Sequence, residues 1–191
     1  RESQDYKQEA FGYMVENVTV KEDVADNTVI GSQYKTPLLE FSGSCAGCAE
    51  TAYARLITQL FGDRMYISNA TGCSSIWGGP AATSPYTVNA KGQGPAWANS
   101  LFEDNAEHGF GMFLGQNAIR NSLIAKVENI LTSDKASDEL KAKAQAYLDT
   151  VNDGEANGAA AEALVAAIGD GSCCENCKSI LANKDYLAKK S

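Results

Sequence analysis

Histidine is almost missing from this chain: His108 is the single one in 191 residues. One imidazole leaves one candidate for proton transfer near neutral pH. Its place beside Glu107 and Gly109, in a glycine-rich stretch, reads instead as surface or interface. Long apolar runs are missing too. Nothing approaches the ~18 residues that a membrane-spanning helix needs, and the opening RESQDYKQEAFGY has no apolar signal-peptide core. The expectation is a soluble chain with no membrane partner. Because it begins at Arg1, it also reads as a piece of something longer. Positive charge is scarce, with 16 Lys and Arg against 24 Asp and Glu and a formal net charge of -8. Each phosphate contact wants a Lys or Arg, so no nucleic-acid partner is expected, and the acidity serves mainly solubility. Internal repeats are absent.

What is present is thiol. Six cysteines fall in two groups. Without a secretory segment they point to a reducing, cytoplasmic setting and to metal binding rather than a disulfide framework.

The chain reads as α/β. YMVENVTV suggests a strand, and KTPLLEFSG a second, better-buried one ending in glycine. ETAYARLITQLFG suggests a helix, with Ala52, Leu56 and Leu60 and then Tyr53 and Ile57 at i, i+4 spacing, stopped by Gly62. RMYISNA is a short strand running into the turn that carries Cys73. This succession forms a βαβ-type unit with cysteines at the carboxyl ends of strands, where open α/β sheets place ligands. From Gly78 to Gly115 glycine, proline and polar residues suggest a long loop. Trp77, Tyr86, Trp97, Phe102 and Phe110 imply that it is ordered and lies over something.

Four helices are expected after it. The first carries Ile119, Leu123, Val127 and Ile130 on one face. The second carries Leu140, Ala144, Tyr147 and Val151, with Ser137 as N-cap. GAAAEALVAAIG, ended by Gly169, is the third, and ENCKSILANKDYLAKK the fourth. The acidic, alanine-rich middle reads as a solvated helical elaboration. Gly169-Asp170-Gly171 reads as a turn, and Glu103, Asp104 and Glu107 as a solvated or interface patch.

The sharpest feature is GSCAGCAETAYARLITQLFGDRMYISNATGCSSIWGG, with Cys45, Cys48 and Cys73. Three thiols are one short of a tetrahedral metal site. A thioredoxin-like redox pair has no use for the third, Cys73. Zinc wants a second Cys-x-x-Cys, and Cys174-Glu-Asn-Cys177 offers one, but at a sequence distance far beyond ribbon-type spacings. An iron–sulfur cubane takes four thiolates, one of which can be remote. Spacing leaves cluster and zinc both open, with unligated thiols behind them. Gly43, Gly47 and Gly72, which let backbone N–H groups approach a bulky cluster, favour iron–sulfur.

LLEFSGSCAGCAETAYARLITQLFGDRMYISNATGCSSIWGG, followed by GPAWANSLFEDNAEHGFGM, closely resembles pyruvate:ferredoxin (flavodoxin) oxidoreductases. It is similar to part of that family's thiamine diphosphate-binding domain. The match is dense from about Thr36 to Gly115, with several motifs in order. It implies an α/β fold with an open, mostly parallel sheet and flanking helices, beside the helical elaboration that the pattern gives to the C-terminal half. By this reading residues 1–35 are a lead-in segment, 36–132 the cluster- and thiamine-contacting part, and 133–191 the helical elaboration and the start of the next segment.

The resemblance also implies that Cys45, Cys48 and Cys73 bind a [4Fe–4S] cluster whose fourth ligand is a cysteine beyond Ser191. It implies that Glu50 and Cys73 sit against thiamine diphosphate. An acid in a helix's first turn also complements the helix dipole, and Glu50 can do both. Thr71, Gly72 and Ser74 would line the same wall by adjacency. Magnesium and the diphosphate would be held mainly outside this chain, because the family's motif for them is absent. The implied activity is the oxidative decarboxylation of pyruvate with coenzyme A to acetyl-CoA and carbon dioxide. Electrons would pass through [4Fe–4S] clusters to ferredoxin or flavodoxin, in a homodimer built with the remaining domains of the same polypeptide. This chain alone would be an inactive fragment, and none of its residues is assigned a catalytic role. Cys173, Cys174 and Cys177 do not match the ligand motif and read as helix-start thiols. Two rivals stand beside this reading. One is a related 2-oxoacid:ferredoxin oxidoreductase with another substrate. The other is a zinc-structured binding module closed by Cys45, Cys48, Cys174 and Cys177.

Overall fold

The computed structural model describes residues 2–18, 23–25, 27–171 and 174–190. Its first helix, α1 (Asp5–Asn17), buries none of its residues. Tyr6, Phe11, Tyr13, Met14 and Val15 all stand exposed on it. The strand expected at YMVENVTV is therefore not formed: Tyr13–Asn17 end this helix, and residues 19–20 lie outside the described ones. Tyr and Val favour strands only where a pleated, half-buried surface receives them, and none is offered here. A short helix, α2 (Val29–Ser32), follows, capped by the Thr28 hydroxyl, which accepts from Gly31 N at 3.0 Å.

KTPLLEFSG is not a strand either. It makes one isolated antiparallel bridge, Leu39 to Tyr86. Glu40 N donates to Pro85 O at 2.8 Å and Thr87 N to Leu38 O at 3.0 Å. The segment is well buried as expected, with Leu38 and Leu39 in the core. Its hydrogen-bonding partner is a loop rather than a sheet.

The expected helix is present as α3 (Glu50–Phe61), followed by Gly62. Gln59 ties it to the preceding segment, its Nε2 donating to Ser32 O at 2.7 Å and Lys35 O at 3.2 Å. The expected strand is β1 (Tyr66–Asn69), running into α4 (Cys73–Gly78). The parallel partner comes later in the chain than expected. It is β2 (Ala96–Asn99), paired Tyr66 to Ala96 through Asn69 to Asn99. β1, α4 and β2 thus make the crossover unit, and among the described residues the sheet has these two strands.

The glycine-rich stretch becomes helical earlier than its composition suggests. α5 (Asn105–Leu131) is a 27-residue helix whose first turns lie on β1. A Cβ at Gly109 would stand 3.4 Å from Ser68 Oγ, and His108 Nδ1 lies 2.7 Å from the same hydroxyl. The lone histidine is thus half-buried and pins α5 to β1.

α5 packs against α6 (Asp138–Asp149) and α8 (Glu175–Ala182), and α7 (Ala156–Ile168) packs against those two. Ser137 caps α6 as expected, its hydroxyl accepting from Leu140 N at 3.2 Å. The helical elaboration is not merely solvated. Leu123, Val127, Ile130, Leu140, Ala144, Tyr147, Ala161, Leu164 and Ile168 form its core with Cys177, Ile180 and Leu187. Among the described residues, a composition that looks bland thus builds the hydrophobic core cluster, with Ala144 and Ala161 as its small members. Ile119 departs from the expected face and remains 38% exposed.

Arg120 closes one end of the bundle. Its guanidinium donates to Val151 O at 2.7 Å, Asn157 Oδ1 at 3.1 Å and Leu187 O at 3.3 Å. Gly169 and Gly171 both take positive φ, 63° and 75°, which confirms a turn at Gly169-Asp170-Gly171 and explains its glycines.

Candidate functional site

The loop carrying Cys45 and Cys48 is seated between α3 and α4. Ser42 Oγ lies 2.8 Å from Thr51 Oγ1 and 3.0 Å from Ser44 Oγ, a hydroxyl cluster that ties the loop to the first turn of α3. A Cβ at Gly43 would stand 2.8 Å from Trp77 Cβ, so the loop's backbone rests directly on α4. Cys48 N donates to Cys45 O at 3.0 Å, closing a turn in which Gly47 has φ 77°. Both thiols are exposed.

Cys73 opens α4, and a hydrogen-bond network not foreseen from the sequence fixes its turn. Asn69 Nδ2 donates to Asn99 Oδ1 at 2.8 Å and to Ser75 Oγ at 2.9 Å. Ser74 Oγ donates to Asn69 Oδ1 at 2.7 Å, and Gly72 N to Ser75 Oγ at 3.2 Å. The ends of both strands are thus locked to the start of α4, and the Cys73 thiol is left exposed. No atom lies within 4 Å of where a Cβ would sit on Gly47 or Gly72, so space beside both cysteine turns is open.

Beneath this rim lies a cavity of about 330 Å³ between α3, β1, α4 and the 86–97 segment. That is near the lower end for ligand pockets, about 300–1,000 Å³. Glu50, Ser68, Asn69, Ser74, Tyr86 and Trp97 are among its lining residues. Trp77, Tyr86 and Trp97 stack in sequence, with ring centroids 6.1 and 5.8 Å apart. The indole Nε1 atoms of Trp77 and Trp97 are buried without a hydrogen-bond partner. A buried donor left unmade costs about 1–3 kcal/mol. Burial, and then the negative charge of Glu50, hold the Tyr86 phenol above its ordinary range. The carboxylate is therefore close enough to be felt inside the cavity.

No family model matches the chain. It is 48% identical over 199 aligned residues, covering 100% of the chain, to pyruvate-flavodoxin oxidoreductase of Enterobacter agglomerans. It is 52% identical over 167 residues, 86% of the chain, to the protein of the same name from Klebsiella pneumoniae. Against pyruvate:ferredoxin oxidoreductase of Moorella thermoacetica it is 47% identical over 178 residues, 90% of the chain. The chain matches one segment of these pyruvate oxidoreductases. It spans only 17%, 14% and 15% of their respective lengths.

Glu50 and Ser74 are among the residues lining this cavity, and Thr71 and Gly72 are not. The Thr71 hydroxyl instead donates to Ser100 O and Leu101 O, both at 3.3 Å. Cys45, Cys48 and Cys73 stand on adjoining segments at the exposed rim. Among the described residues no three His, Cys, Asp or Glu side chains converge as they would around a single ion. That finding weighs against the closed zinc site of Cys45, Cys48, Cys174 and Cys177, since Cys177 is buried in the α5–α8 core. A cubane is a different case, because each thiolate binds its own iron and the ligands need not share one centre. Soft thiol donors, open space beside Gly47 and Gly72 and exposed positions suit it. Glu103, Asp104 and Glu107 form no metal group; Asp104 accepts from the Ser100 hydroxyl and Asp104 O from His108 N. Cys173 lies outside the described residues.

The Tyr86 phenol offers a test of the geometry. A raised pKa means that its stabilising contribution is complete below about pH 10 and is lost as pH climbs through the raised value. Glu50→Gln is expected to move the Tyr86 titration down, part of the way to the ordinary value, since burial remains. Carbon-13 NMR of labelled tyrosine, assigned with Tyr86→Phe, reads it. An unmoved titration would separate Glu50 from the cavity.

Proposed function

We propose that this chain forms the wall between a thiamine diphosphate site and a proximal [4Fe–4S] cluster in a longer polypeptide. That polypeptide oxidatively decarboxylates pyruvate with coenzyme A and passes the electrons to ferredoxin or flavodoxin. The carrying observation is the cavity lined by Glu50 and Ser74, with three exposed thiols, Cys45, Cys48 and Cys73, on the chain segments next to those two residues. Thiamine diphosphate, when bound, supplies an electron sink for the decarboxylation. The cluster, when bound, takes up electrons one at a time.

This chain's own residues bind and orient. Cys45, Cys48 and Cys73 hold the cluster, with a fourth thiolate supplied from elsewhere in the polypeptide. Glu50 offers a carboxylate acceptor to the cofactor's ring nitrogen region, while the aromatic stack of Trp77, Tyr86 and Trp97 keeps that side of the cavity apolar and dry. The network of Asn69, Ser74, Ser75 and Asn99 holds the Cys73 turn in place between the two groups. Magnesium belongs to parts of the enzyme outside these residues, as do coenzyme A and the dimer contacts.

Glu50→Gln in the full-length enzyme tests the assignment. A charged hydrogen bond is worth about 1.5–3 kcal/mol, so thiamine diphosphate affinity should fall by about 10-fold or more. Calorimetry with magnesium present measures it. Wild-type affinity would remove Glu50 from the site.

A further inference from the structure

Cys174 and Cys177 take no part in the cavity or its rim, yet they are built into a specific arrangement at the start of α8. Their sulfur atoms lie 3.1 Å apart. Cys174 is the N-cap: its Sγ accepts from Cys177 N at 3.3 Å, and its carbonyl accepts from Lys178 N at 3.2 Å. The glycine turn before it is pressed onto the helix, since a Cβ at Gly171 would meet Leu181 Cδ1 at 2.8 Å.

The two sulfurs have different surroundings. Cys174 is half-buried, at a helix N-terminus with a backbone N–H aimed at its sulfur. That setting favours the thiolate, the reactive form. Cys177 is 0% exposed within the α5–α8 core, where apolar surroundings favour the neutral thiol. The first is an attacking sulfur and the second a resolving one.

We propose that Cys174 and Cys177 are a thiol–disulfide exchange site whose oxidant is a small-molecule disulfide of the glutathione type. The Cys174 thiolate attacks one sulfur of the disulfide. A bond to Cys174 forms, the disulfide's own S–S bond breaks, and one thiolate leaves and takes up a proton. Cys177 then gives up its proton and attacks Cys174 Sγ, and the second small thiol departs. Two protein thiols are oxidised by two electrons, and one small disulfide is reduced to two thiols. A disulfide bond is about 2.05 Å long, so the sulfurs need approach by only about 1 Å. The product staples the cap of α8 to its first turn.

The test uses the full-length protein, reduced and then held anaerobically in excess oxidised glutathione, followed by alkylation and peptide mass mapping. The expected result is a peptide protected from alkylation at Cys174 and Cys177 and lighter by two hydrogens, formed equally in Cys173→Ser. Cys177→Ser should trap glutathione on Cys174, while Cys174→Ser should leave Cys177 without glutathione. Alkylation of both sulfurs after oxidation, or no adduct in Cys177→Ser, would overturn the proposal. So would loss of one cluster's iron in Cys174→Ser, which would make the pair metal ligands.

Discussion

Leu164→Ala in the full-length protein is expected to open the helical part of the chain, with a cost of about 2–5 kcal/mol. Leu164 is fully buried on α7. Its neighbours in the core come from helices tied together by Arg120 and Asn157, so the site has little room to collapse around a cavity. Tyr147 OH donates to Leu187 O at 2.9 Å, and Lys189 N to Asn157 Oδ1 at 2.8 Å, which fixes the chain's last described turns onto the same bundle. Amide exchange across residues 138–168, read by mass spectrometry in the intact protein, should quicken by roughly 30-fold or more, since every 1.4 kcal/mol is tenfold. Glu162→Ala is the control. Its carboxylate meets Lys91 Nζ at 3.8 Å with both side chains well exposed, and such pairs contribute about 0–1 kcal/mol. Equal exchange in the two variants would mean that α7 is not part of a packed core.

Cys73→Ser should have the largest effect on activity. Loss of outer-shell partners of a metal ligand already costs about 10–100-fold, so loss of the ligand itself should lower pyruvate-dependent turnover by at least ~100-fold. Serine keeps the start of α4 and the Asn69–Ser75 hydrogen bonds, since Cys73 takes no part in that network. A folding defect is therefore not expected, and circular dichroism and exchange in β1 and α4 should be unchanged. The electron paramagnetic resonance signal of one reduced cluster should vanish together with turnover. Retention of both would detach Cys73 from the cluster.

The elements legible in the sequence were those whose pattern is local. The i, i+4 spacing in α3 with Gly62 after it, the short β1 and the Ser137 cap of α6 each carry their signal within a few residues. What misled was long-range. KTPLLEFSG has the apolar content of a strand, but its hydrogen-bond partner, the 85–87 segment, lies far along the chain and offers only one bridge. The start of α5 was hidden by Gly109, Gly111 and Gly115, residues that locally signal a loop. In the fold Gly109 faces Ser68, where a Cβ would make ordinary contact at 3.4 Å. In the site, the cysteines stood out by residue type and spacing, and Glu50 only through the family resemblance. The Asn69–Asn99 contact exists only once β1 and β2 pair, and no local pattern announces it.

The central claim is that Cys45, Cys48 and Cys73 hold a cubane. Iron and acid-labile sulfide assays, with a visible spectrum, on the anaerobically purified full-length protein and on Cys45→Ser test it most directly. The expected result is a brown protein that loses about four irons and about four sulfides per chain in the variant, one [4Fe–4S] cluster. A colourless, zinc-containing wild type, or a variant with unchanged iron, would contradict it.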